Sequence, residues 1–108
     1  ANQTVCEYYQ MYHPGLLRLI RFTAEAFKAA GKPLSVCGEM GGDPLALPLL
    51  IGFGINEVSM GLSAVAQSKK IIRSLTRAKA EELAARACAL DTAAEVENYL
   101  RSELAEYL

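Results

Sequence analysis

From Pro14 onward the apolar positions switch between two periods. Leu17, Ile20, Ala24 and Phe27 recur three or four residues apart and form one stripe of a helix. Pro14 suits the first turn of that helix, Gly31 ends it, and Pro33 forbids its continuation. Residues 34–37 are then a short apolar run, read as a buried strand that ends in Cys37. Gly38, Gly41 and Gly42 make a turn. Asp43 as N-cap and Pro44 at the first helical position predict a second helix running to about Ile51, with an irregular start at Pro48 and a stop at Gly52 and Gly54. Residues 55–60 alternate, Val58 and Met60 against Glu57 and Ser59, and predict a second strand. Gly61 turns the chain into a helix capped by Ser63 that carries Val65, Ile71, Ile72 and Leu75.

From Thr76 the pattern is helical throughout. Thr76 caps a helix with Ala80, Leu83, Ala84 and Ala87 on one face. Thr92-Ala93-Ala94-Glu95 is a capping box for a last helix bearing Val96, Tyr99, Leu100, Leu104 and Tyr107. Strand–helix–strand–helix order implies parallel strands joined by right-handed crossovers, hence an α/β fold. Two strands cannot close such a sheet, because parallel strands need cover on both faces and partners at both edges. The expected architecture is therefore the C-terminal end of a larger (β/α) barrel followed by a helical tail.

Composition narrows the partners. The chain has 108 residues, 52% of them apolar and 21% charged, as in an ordinary globular domain. A net charge of −1 gives no electrostatic case for nucleic acid or for an anionic membrane surface. Apolar runs are too short to span a bilayer, since Pro48 and two glycines interrupt residues 45–55. Cys6, Cys37 and Cys88 are odd in number and unpatterned, which disfavours a disulfide framework and a zinc site and suits a reducing cytoplasm. His13, the one histidine, reads as a residue preceding a helix, and Lys69, Lys70, Arg73 and Arg77 read as a solvated face. Tyr8, Tyr9 and Tyr12 are suited either to packing or to lining a surface.

Cys37 is the candidate for chemistry. Reactive groups in sheets with helical crossovers collect at the carboxyl ends of strands, and Cys37 sits at such an end beside glycines that let a small anion approach the backbone. The bland alternative is a small buried hydrophobe, which is how Cys88 is read among its alanines. Ser35-Val36-Cys37-Gly38-Glu39-Met40-Gly41-Gly42-Asp43-Pro44 closely resembles the signature near the C-terminus of phosphoenolpyruvate-utilising enzymes. The branch it is most similar to is Enzyme I, the phosphoenolpyruvate–protein phosphotransferases of the bacterial sugar or nitrogen-related phosphotransferase systems. Further matches are Tyr12-His13-Pro14-Gly15-Leu16-Leu17-Arg18-Leu19-Ile20, Gly54-Ile55-Asn56-Glu57-Val58-Ser59-Met60, Lys69-Lys70-Ile71-Ile72-Arg73-Ser74-Leu75 and Ala89-Leu90-Asp91-Thr92.

That resemblance implies the last two units of an eight-fold phosphoenolpyruvate-binding TIM barrel over residues 1–75, beginning just after the sixth strand, and a helical extension of the same domain over 76–108. It implies an enzyme that passes the phosphoryl group of phosphoenolpyruvate through its own histidine to a histidine phosphocarrier protein and releases pyruvate. Cys37 matches the cysteine that protonates enolpyruvate. A thiol with a reference pKa of about 8.5 holds its proton near neutral pH, and apolar surroundings would hold it more firmly. The phosphorylated histidine, the magnesium ligands and the phosphate-binding arginines of the family fall outside this sequence. The 108 residues alone are therefore expected to be inactive, Asp43 is expected to be a helix cap, and Glu39 a turn residue. Family members pair through this domain, which implies a homodimer. Two alternatives stand beside this reading: a fragment of pyruvate phosphate dikinase or phosphoenolpyruvate synthase, and a non-catalytic self-association module.

Overall fold

The first helix begins where a proline and a histidine divide the work of starting it. The computed structural model describes residues 11–37 and 39–108. Helix α1 spans Pro14–Ala29, and the His13 ring caps it, its Nδ1 accepting the Gly15 amide at 3.0 Å. Leu17 and Ala24 are buried and Ile20 is half-buried, as the stripe predicts, whereas Phe27 at its end is 37% exposed. Gly31, at φ 69°, closes the helix: its amide bonds the Lys28 carbonyl and the Lys32 amide bonds the Phe27 carbonyl. This pair of reverse bonds needs a left-handed residue, which glycine supplies without strain.

Helix α2, Leu47–Gly52, ends in the same way. Gly54 has φ 84°, with Gly54 N–H donating to the Ile51 carbonyl and Ile55 N–H to the Leu50 carbonyl. Each of these glycine stops is followed by a strand. Strand β1, Ser35–Val36, pairs in parallel with β2, Glu57–Val58, in the register Ser35 to Glu57 and Val36 to Val58. The strands are shorter than the sequence pattern implies, and β1 is not buried: Leu34 and Val36 are half-buried while Ser35 and Cys37 are exposed. Among the described residues each strand has one neighbour, so only one edge of each is bonded, while Val36 and Val58 pack against the core. At its beginning the ladder passes to a side chain, the Asn56 carboxamide oxygen accepting the Leu34 amide at 3.1 Å.

Two helix starts also differ from expectation. The helix after Asp43 begins at Leu47, not Pro44, with a turn between them. The Leu47 amide donates to the Asp43 carbonyl at 3.0 Å, but Pro48 has no N–H to bond the Pro44 carbonyl, so the next rung of a helix is missing. Helix α3, Leu62–Ser74, is capped by Gly61 and not by Ser63. The Gly61 carbonyl already accepts the Ala64 amide at 3.0 Å, so winding begins before the serine. The later starts agree with the sequence. Thr76 accepts the Lys79 amide to open α4, Arg77–Ala89, and the Thr92–Glu95 capping box opens α5, Ala93–Glu103. A 3-10 turn, Ala105–Tyr107, follows.

Helix α2 is the centre of the core. Leu47, Pro48, Leu49 and Leu50 are all buried, as an apolar helix without a polar face requires. Its most extensive neighbour is α4, which presents Ala80, Leu83, Ala84 and Ala87. Val96, Leu100 and Leu104 of the last helical segment complete the cluster, and Cys88 lies within it as packing. Arg18 fastens α1 to the end of α4, its Nε donating to the Cys88 carbonyl at 2.8 Å and a terminal nitrogen to the Leu90 carbonyl at 3.1 Å.

The two glycines at the end of α2 differ in what they do, and this separates them experimentally. A Cβ on Gly52 would lie 2.2 Å from the Ala80 carbonyl oxygen, whereas one on Gly54 would touch nothing within 4 Å. Gly54→Ala should cost only the left-handed strain, about 1–2 kcal/mol. Gly52→Ala should gain up to about 1 kcal/mol of helix propensity and still destabilise more, because a backbone carbonyl must move. Urea-unfolding midpoints of the two variants should fall in that order.

Candidate active site

The parallel pairing brings the carboxyl ends of both strands to one edge. Cys37 follows β1 directly, Ser59 and Met60 follow β2, and the Ser59 amide donates to the Val36 carbonyl at 2.8 Å. The 3-10 helix Glu39–Gly42 lies against this edge. Its Gly41 approaches β2 so closely that a Cβ there would stand 2.4 Å from the Ser59 carbonyl oxygen and 2.8 Å from Val58 Cγ1. Gly41 is thus engaged in packing and is not open to a ligand, a correction to the reading of the whole glycine turn as an anion cradle. A Cβ on Gly42 would make ordinary contacts at 3.4 Å with Met60 and Ala64. Met40 is buried in the core and pins the turn from below. Gly38, the Glu39 side chain and Cys6 lie outside the described residues.

Asp43 secures the far end of the turn. Its Oδ1 accepts the amides of Leu45 at 2.9 Å and Ala46 at 3.2 Å, the capping role that the sequence predicts. The same oxygen accepts the Tyr12 hydroxyl. Burial, and next the Asp43 carboxylate beside it, push the Tyr12 phenol above its ordinary range. Tyr12 therefore ties the entry of α1 to the exit of the Cys37 loop. No spacing in the sequence announces a pair 31 positions apart, which is why this link escaped the sequence reading.

Cys37 is exposed and its thiol is free, so the described residues do not give it the apolar surroundings considered above. Cys88 is its opposite: buried, with a thiol that burial pushes up. Lys69, Lys70, Arg73 and Arg77 are all exposed. Among the described residues no three His, Cys, Asp or Glu side chains converge as a metal cage, and the bonded oxygen of Asp43 is already shared by three donors. The described residues therefore do not fit a magnesium ion. Nor does any helix among them have the length and apolarity needed to cross a membrane.

The family described as "PEP-utilising enzyme, PEP-binding domain" matches residues 1–77. The chain belongs to this family. It is 41% identical over 95 residues to the phosphoenolpyruvate-protein phosphotransferase of Staphylococcus carnosus, covering 88% of this chain and 17% of that protein. The protein of the same name from Listeria monocytogenes is 38% identical over 105 residues, which cover 97% of this chain and 18% of the relative. That of Lactococcus lactis is 43% identical over 86 residues, covering 80% and 15% respectively. The chain thus spans about a sixth of the length of the relatives it matches.

The Tyr12–Asp43 bond predicts a pH-dependent variant. Tyr12→Phe should lower stability near neutral pH by about 1.5–3 kcal/mol, the usual value of a hydrogen bond to a charged acceptor. A phenol raised in the folded state contributes its stability below the unfolded value of about 10 and loses it as pH rises beyond that. The stability difference between parent and Tyr12→Phe should therefore narrow above about pH 10. Paired urea titrations at neutral and alkaline pH measure it, with Tyr99, also raised by burial, common to both proteins.

Proposed function

We propose that this chain is the carboxyl-terminal part of the phosphoenolpyruvate-binding barrel of a phosphoenolpyruvate–protein phosphotransferase. In this reading β1 and β2 are the last two strands of the barrel, residues 1–75 close it, and residues 76–108 extend the same domain. The packing of α4 on α2 supports the last point. The full enzyme moves the phosphoryl group of phosphoenolpyruvate to its own histidine and on to a histidine phosphocarrier protein, in the cytoplasm and as a homodimer. Magnesium, the phosphorylated histidine and the phosphate-binding cations belong to parts of the enzyme beyond this chain.

The observation that carries the reading is an exposed cysteine at the carboxyl end of a parallel pair, where barrel enzymes place their reacting groups. Once the phosphoryl group has left, enolpyruvate needs a proton at its methylene carbon. The Cys37 S–H bond breaks, the proton adds to that carbon, and the electron pair of the enolate returns to form the carbonyl of pyruvate. Water then reprotonates the thiolate. The bonded Val36 before it and the tight Gly41 contact after it support this role, since they hold the chain on either side of the exposed thiol.

In the full-length enzyme Cys37→Ala should reduce pyruvate formation by about 10²- to 10⁴-fold, the range for loss of a general acid, with phosphoenolpyruvate still bound. Turnover near the parental rate would sink the assignment. In the native protein iodoacetamide should modify Cys37 well before Cys88, the exposed thiol before the buried one, as peptide mass analysis would show.

A further inference from the structure

At the amino-terminal end of the strands, opposite Cys37, lies a cavity with a chemistry of its own. It measures about 630 Å³ and sits between the ends of α1 and α2, the segments entering β1 and β2, and the start of α4. Three cationic side chains, Lys28, Lys32 and Arg77, line it, and no Asp or Glu does. The chain as a whole carries 12 acidic and 11 basic residues, so the cavity is positive where the chain is nearly neutral. None of the three is ion-paired among the described residues, whereas Arg21, Lys79 and Arg101 are. Phe27 and Ile55 contribute apolar wall, and Asn56 completes it. Because the Asn56 oxygen accepts the Leu34 amide, its NH₂ is left as a further donor. The helix ends around the cavity do not offset this charge at full strength, since the reverse bonds at Gly31 and Gly54 already occupy their last carbonyls.

We propose that this cavity binds a small phosphate monoester with a flat apolar body, of the size and kind of a nucleoside monophosphate. Three cations match a doubly charged phosphate, Arg77 offers the planar fork that suits phosphate oxygens, and the Phe27 edge of the wall takes the ring. The volume lies within the range of small-ligand sites. The site lies beyond the proposed reaction: it is at the other pole of the strands and shares no residue with the Cys37 edge.

The test is calorimetric titration of the full-length protein containing this chain with adenosine monophosphate, and with inorganic phosphate and adenosine as its two halves. Adenosine monophosphate should bind at least about tenfold more tightly than either half. Lys32→Glu and Arg77→Glu, both at exposed positions, should each weaken it by about tenfold or more, while Lys69→Glu, an exposed cation on another face, should not. Phosphoenolpyruvate, a phosphate without the ring, should compete no better than inorganic phosphate. Absence of binding would overturn the proposal, as would equal weakening by Lys69→Glu. Displacement by phosphoenolpyruvate with no effect of Lys32→Glu would assign the binding to the opposite pole and overturn it as well. Because none of these readings uses turnover or Cys37, the result is separable from the fate of the proton-donor assignment.

Discussion

The close approach of α2 to α4 at Gly52 is the constraint on which the other contacts rest. Helix α2 is apolar on every side and short, so it has no independent stability and exists only where neighbours cover it all round. Helix α4 can cover one side because it offers alanines where α2 offers a glycine, letting the backbone at Gly52 meet the Ala80 backbone and the Ala84 methyl. Larger residues at these positions would push α4 outward and uncover Leu49 and Leu50. Once α2 is fixed, Asp43 at its entry and Gly54 at its exit fix the loops on either side. Those loops lead to the two ends of the parallel pair.

The two halves of the sheet are built by one device used twice. A helix stops at a glycine with positive φ, reverse amide bonds close its last turn, and a short link enters a parallel strand. This repetition sets the polarity of the domain. Helix ends and glycine stops gather at the amino-terminal pole, while strand ends, the 3-10 turn and Cys37 gather at the other. The cation-lined cavity and the exposed thiol are therefore kept apart by the topology itself. A change at one pole need not disturb the packing of the other.

Much of this was legible before any coordinates, and the reason is locality. The stops at Gly31 and Gly54, the Thr76 cap and the Thr92–Glu95 box are all decided by residues within a few positions of one another. The errors come from the same source. Ser63 is a good cap by type, but the chain has already begun to wind at Gly61. Pro44 is a good first helical residue, yet Pro48 removes the bond that would have made it one. What stayed hidden depended on long-range contact: Tyr12 on Asp43, Arg18 on the end of α4, and Gly41 against Ser59. Gly41 is the instructive case for the site. A glycine near a reactive residue suggests room for a ligand, but here the room is filled by the neighbouring strand.

That filling bears on what Cys37 can do. A general acid must be accessible to its substrate and yet held in place, requirements that usually oppose each other on a loop. For the role proposed for Cys37 they are met by different residues. Met40 is buried and Gly41 is wedged against β2, so the segment just beyond the cysteine has an inner face locked to the core. Val36, just before it, is bonded into the parallel ladder. Cys37 lies between these two anchors with its thiol outward. Cys88 shows the other outcome for the same side chain: set among alanines of a packed helix, it is shielded from any substrate and its thiol proton is held by burial. The difference between the exposed and the buried cysteine thus lies in the backbone on either side of the sulfur. Of the two, only Cys37 stands at the end of a strand.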